Sequence, residues 1–146
     1  MNIGVGVPTR GPIGSPENMT ALARKAEELG FGFIHVSDHL ILPRSIASRY
    51  PYNESGAFAD ASGECLDQLT ALAYLAASTE TVGLLTSVMV LPHRPPVLTA
   101  KILSTIDVLS GGRLILGCGV GWMREEAEVL GMPWDCLLYT SDAADE

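Results

Sequence analysis

The adjacent pair Asp38-His39 closes an apolar run, Phe31 to Ser37, and offers the chain's clearest means of moving a proton. An imidazole titrating at about pH 6.5 exchanges protons near neutrality, and a carboxylate beside it can raise that value or steer the tautomer. The same two residues also allow a plainer reading, a histidine that bonds a backbone carbonyl where a strand ends. Thr86, Ser87 and Val88 stand in a second apolar run, and Pro8, Thr9 and Arg10 follow a third. A fourth leads into Gly117, Cys118, Gly119, Val120 and Gly121, where missing side chains let backbone approach a ligand. That run is a weak dinucleotide signal, because GCGVGW lacks the further glycine of GxGxxG and no acidic residue follows about 20 positions on in credible native sequence.

Other groups have weaker claims. Glu125 and Glu126 read as charges at a helix start, or as partners of a reacting group, rather than as catalysts. Cys118 reads as a small buried side chain, His35 as a strand residue, and Arg94 as structural or at a subunit surface. Between His39 and Glu64 runs a segment too long for a simple connector, which fits a lid or substrate wall. Its Arg44, Arg49, Tyr50 and Tyr52 are candidate contacts for a substrate or an anionic cofactor tail. The alternative is a surface excursion whose aromatic rings pack on the fold.

The elements that must position these groups follow from hydrophobic period and breakers. Asn2 to Pro8 alternates apolar and small residues as a buried strand does. Ser15 and Pro16 open a helix through Leu29 that Gly30 closes. Phe31 to Ser37 is a second strand, Leu66 to Ser78 a second helix and Val82 to Val90 a third strand. Pro96 to Ser110 is a third helix stopped by Gly111-Gly112, followed by a strand from Leu114 to Cys118 and a helix from Trp122 to Leu130. Strict alternation with short returns predicts a parallel sheet with helices on its outside. A complete (β/α)₈ barrel takes about 250 residues, so four units make a truncated, partial TIM barrel of the α/β class; a flavodoxin-like or Rossmann sheet is the competitor.

Composition narrows the partners. The chain has 146 residues, 47% of them apolar, enough for one sizeable core. A net charge of −8 with nine scattered basic residues argues against nucleic acid and anionic membranes, which need clustered cations. No apolar stretch nears the roughly 20 residues of a membrane span, and Met1 leads straight into a strand, so a cytoplasmic location is the expectation. Cys65, Cys118 and Cys136 show no metal-ligand or disulfide spacing. Residues 136–146 read as the translation of a sequencing adapter, which makes 1–135 the native portion and predicts a gene cut short.

Three segments carry a family resemblance: Val36-Ser-Asp-His-Leu40, Leu85-Thr-Ser-Val-Met-Val-Leu-Pro-His-Arg-Pro-Pro-Val97, and Leu109-Ser-Gly-Gly-Arg-Leu-Ile-Leu-Gly-Cys-Gly-Val-Gly-Trp-Met-Arg-Glu-Glu126. In order and spacing, the sequence resembles the N-terminal half of luciferase-like monooxygenases and related F-420-dependent oxidoreductases. Ser48-Arg-Tyr-Pro-Tyr52 makes it most similar to the F-420-dependent branch. The resemblance implies a cofactor, coenzyme F-420 by preference or FMN, with hydride transfer or oxygen activation on a small organic substrate. It places His39 beside the isoalloxazine as a proton-transfer or hydrogen-bonding group and Asp38 against the ring's polar edge. It also implies a cis peptide at Ser87-Val88, next to Thr86, behind the central ring, and Cys118, Gly119 and Val120 along the cofactor's side chain. The whole protein is expected to be a homodimer and the fragment inactive by itself, prone to aggregate through its open sheet edges.

Two rival functions remain. A metal-dependent TIM-barrel hydrolase could use His35, Asp38 and His39, although consecutive strand residues face opposite ways. A non-catalytic flavin-binding paralogue would keep the fold without turnover.

Overall fold

Proline and glycine punctuate the chain where its elements change. The computed structural model describes residues 3–58 and 64–135; the tail at 136–146 and the expected strand start at Asn2 lie outside them. The described chain runs β1 (Gly4–Gly6), α1 (Pro16–Glu28), β2 (Phe33–Val36), α2 (Gln68–Ser78), β3 (Gly83–Val90), α3 (Pro96–Ser110), β4 (Leu114–Gly119) and α4 (Arg124–Val129), with one 3₁₀ turn at Leu91–His93. Ser15 caps α1 by accepting from the Asn18 N–H, and Asp67 caps α2 by accepting from Thr70. Gly111, with φ of 69°, takes the left-handed position that ends α3 where the breakers predict. The first strand and last helix are shorter than the sequence pattern, with three residues in β1 and six in α4.

All pairings are parallel, in the order β1-β2-β3-β4. Each strand therefore lies beside the next in sequence. A doubly wound sheet would reverse its order at a switch point, and no reversal occurs among the described strands. The chain is a four-unit arc of parallel β/α structure with the topology of a partial TIM barrel.

The core lies between the sheet and its outer helices. Ile34 and Val36 of β2 and Leu84 of β3 pack with Met19, Ala23 and Ala26 of α1 and with Leu72 and Leu75 of α2. Because strand side chains alternate, Phe33, His35, Leu85 and Ser87 belong to the opposite, inner face. The β1 glycines make room there, since a Cβ on Gly4 would strike the Phe33 ring and one on Gly6 would sit 3.1 Å from the His35 imidazole. At β4 the cover thins, leaving Ile115 and Leu116 44% and 49% exposed. Among the described residues, no helix is long and apolar enough to cross a membrane.

Candidate functional site

Two hollows of about 150 and 260 Å³ lie at the carboxyl ends of β1, β2 and β3 and share Arg10, Ser37 and Ser87. Their combined scale is that of a small-molecule site, roughly 300–1,000 Å³, and strand ends are where parallel α/β folds bind ligands. His39, Tyr50, Tyr52, Phe58, Val88 and Trp122 line the smaller one, with Asp38 and Glu126. The Ser87–Val88 peptide is cis, and the β3–β4 register shifts between Thr86 and Met89. A further cleft between α1 and α2 is lined by Met19, Leu66, Ala71 and Tyr74.

His39 takes its place from both chain neighbours and distant ones. Its Nδ1 lies 2.8 Å from Glu126 Oε2, while the ring packs against Phe58 and Trp122 at centroid separations of 5.4 and 6.4 Å. The other carboxylate oxygen of Glu126 accepts from the Leu40 and Ile41 N–H groups at 2.7 and 3.2 Å. Burial by itself would raise the Glu126 carboxyl. The His39 bond, the His39 charge, the Ile41 N–H and the His93 charge outweigh it and hold the group below the ordinary carboxylate range.

Asp38 has a different partner from the one its position implies. Its side chain has no exposed surface, and the Arg94 guanidinium grips both oxygens at 2.6 and 2.8 Å while the Val90 N–H bonds Oδ2 at 2.8 Å. Arg94 also reaches Asp67, the cap of α2. Through Asp38 the Arg94 guanidinium forms an ionic clamp that ties the ends of β2 and β3 to α2, and Asp38 also lines the smaller hollow. Arg94 is thus structural.

Other predicted residues divide likewise. Ser87, Val88, Tyr50 and Tyr52 reach the hollow. Thr86 is fully buried and uses its hydroxyl to pair with the Gly117 carbonyl and N–H, so it fixes β3 to β4. Cys118 is exposed, contrary to the buried side chain expected, because β4 is an edge strand with little over it. Cys118, Gly119 and Val120 do not line either hollow, though a Cβ on Gly119 would meet Val88 Cγ2 at 2.7 Å. Arg44 is exposed, and Arg49 turns back to the Glu54 carbonyl at 3.0 Å.

The long segment before α2 combines both readings offered for it. Tyr50 stacks edge-on against Tyr52, Phe58 and Trp122, at 5.4, 5.3 and 5.0 Å, and Arg10 lies over Phe58 at 4.9 Å. Glu125 anchors its start by accepting from the Ala47 and Ser48 N–H groups at 2.7 and 2.9 Å. Phe58 and Trp122 escape sequence reasoning since nothing local marks a ring that packs against a distant one. A large aromatic directly after the Gly121 turn was the available signal for Trp122.

Among the described residues, no group of three His, Cys, Asp or Glu side chains is placed to hold a metal ion. With Asp38 clamped by Arg94, this arrangement disfavours the hydrolase alternative.

Residues 1–138 match the model of the family described as luciferase-like monooxygenase. The chain belongs to that family. It is 37% identical over 122 residues to an F-420-dependent glucose-6-phosphate dehydrogenase of Beutenbergia cavernae, covering 82% of this chain and 31% of the relative. A Mycobacterium tuberculosis protein of unassigned function is 32% identical over 114 residues, 77% of this chain and 40% of its own length. The crystal structure of the monooxygenase RslO1 from Streptomyces bottropensis superposes with a TM-score of 0.67 at 28% identity, covering 92% of this chain and 38% of that one. The luciferase-like chain described here thus spans well under half the length of these relatives.

Proposed function

We propose that this chain supplies the first half of the active site of a coenzyme-linked oxidoreductase, with F-420 the preferred coenzyme. The observation that carries the reading is the convergence of His39, Ser87, Val88 and a wall of Tyr50, Phe58 and Trp122 on one hollow at the strand ends. The donor set suits a planar tricyclic ring. Flat aromatic faces supply apolar contact, while one imidazole and the strand-end polar groups supply an edge that can hydrogen bond. When bound, such a coenzyme accepts or donates a hydride.

The chain's own residues then have separate duties. His39 moves or holds a proton at the reacting edge, Tyr50 and Trp122 keep water from it, and Arg10 adds positive charge beside Phe58. The F-420-dependent relative at 37% identity supports F-420. FMN with oxygen activation is the second reading, favoured by the likeness to RslO1 at 28% identity.

Absorbance titration of the full-length protein with each coenzyme tests the choice. A spectral change saturating with F-420 and not with FMN is expected, and the reverse result selects the oxygenase reading. No change with either coenzyme refutes the proposal. Replacing His39 by Asn is expected to cut turnover on the order of 10²-fold or more; undiminished turnover would remove His39 from the chemistry.

A further inference from the structure

The pairing between His39 and Glu126 has a direction, which the bonds around the carboxylate fix. We propose that Glu126 is the positioning residue for His39, holding the neutral imidazole as its Nδ1–H tautomer so that Nε2 carries the lone pair at the hollow. The inference rests on the reading of His39 as the proton-transfer group and deepens it: the neutral ring takes up a proton at Nε2.

Glu126 is 1% exposed, so water does not compete for its oxygens. The Leu40 and Ile41 N–H groups favour the charged form of its carboxylate whatever the charge on the neighbouring rings, and a carboxylate only accepts hydrogen bonds. Oε1 is occupied by two backbone donors, Leu40 and Ile41. At 2.8 Å from Oε2, Nδ1 must then be the donor. A neutral imidazole carries one N–H, which leaves Nε2 as its acceptor.

The charged and titratable groups packed about this pair leave the assignment intact. Asp38, next in sequence, is clamped by Arg94. His93, on the 3₁₀ turn after β3, has its Nδ1 3.8 Å from Glu126 Oε1, beyond hydrogen-bond length, and burial pushes its pKa down toward the neutral ring. Cys65, whose thiol burial pushes up, donates its S–H to the His39 carbonyl at 3.2 Å and not to the ring. Arg10 and Tyr50 reach the hollow from other elements, β1's end and the long segment.

Substituting Glu126→Gln makes the prediction sharp. The amide has one acceptor oxygen, which the Leu40 and Ile41 N–H groups claim, and its NH₂ then faces Nδ1. A donor opposite Nδ1 requires the other tautomer, with Nε2–H.

The test is ¹⁵N NMR of the imidazoles in the full-length protein at alkaline pH, where histidine is neutral, with His39 assigned by the loss of its signal in His39→Asn. Wild type is expected to show Nδ1 protonated and Nε2 bare, and E126Q the reverse. Wild type with Nε2–H overturns the proposal, as does E126Q that unfolds cooperatively yet keeps the wild-type tautomer. Should E126Q not fold, the wild-type spectrum decides alone. Coenzyme titration is scored separately, so a correct tautomer without coenzyme binding sinks the oxidoreductase reading and leaves the pairing standing.

Discussion

Removing the Arg94 side chain by Arg94→Ala is expected to be among the costliest single changes near the site. Asp38 has no exposed side-chain surface, and the guanidinium bonding it is 9% exposed. Among the described residues, truncation leaves the carboxylate only the Val90 N–H as a hydrogen-bond donor. Two charge-assisted bonds disappear, each worth about 1.5–3 kcal/mol, in agreement with the roughly 3–5 kcal/mol measured when one partner of a buried pair is deleted. The third bond, to the 38% exposed Asp67, adds less than about 1 kcal/mol because solvent screens it. A loss of about 4 kcal/mol follows, read as a lower urea midpoint of the full-length protein with an unchanged slope. The double change Asp38→Asn with Arg94→Met removes both charges together and is expected to cost at least about 2 kcal/mol less than Arg94→Ala. A loss below about 1 kcal/mol for Arg94→Ala would refute the clamp and free Asp38 for a ligand.

Three further outcomes test other parts of the arc. Burial pushes the Glu27 carboxyl up, but the N–H groups of Glu80, Thr81 and Val82 and the Thr81 hydroxyl bring it down to about 2. Its folded value is depressed, so its stabilisation is full above about pH 4.5 and is lost as pH falls toward 2; E27Q is expected to flatten acid unfolding there, by about 1 kcal/mol after screening, and an unchanged acid profile would contradict this. Gly117→Ala would press a Cβ onto the Thr86 carbonyl between β3 and β4, a cost of about 1–3 kcal/mol visible as a lower melting temperature; an unaltered one would show that β4 yields freely. Glu125→Ala releases the Ala47 and Ser48 N–H groups, and limited proteolysis followed by mass spectrometry is expected to cut faster between residues 40 and 58; equal rates would mean that the aromatic contacts hold the segment unaided.

Local chemistry alone wrote much of this architecture into the sequence. Pro96 at one end and Gly111 at the other bound α3 where expected, because a ring that lacks an N–H opens a helix and a residue free to adopt positive φ ends one. Alternation set which of Ile34, His35 and Val36 meet the helices, and the ends of the apolar runs put His39 and Ser87 at one hollow. Tertiary structure alone decided the partners. Glu126 stands 87 residues after His39, and Arg94 lies 56 after Asp38, so neither pairing leaves a local pattern. The neighbour in sequence, Asp38, was the natural carboxylate to orient His39. Once the parallel register brought β3 and its following turn alongside β2, a guanidinium reached Asp38 and the first turn of α4 reached the imidazole. Composition states which groups a chain owns, whereas the fate of a buried charge depends on distances of a few ångströms that only the assembled strands establish.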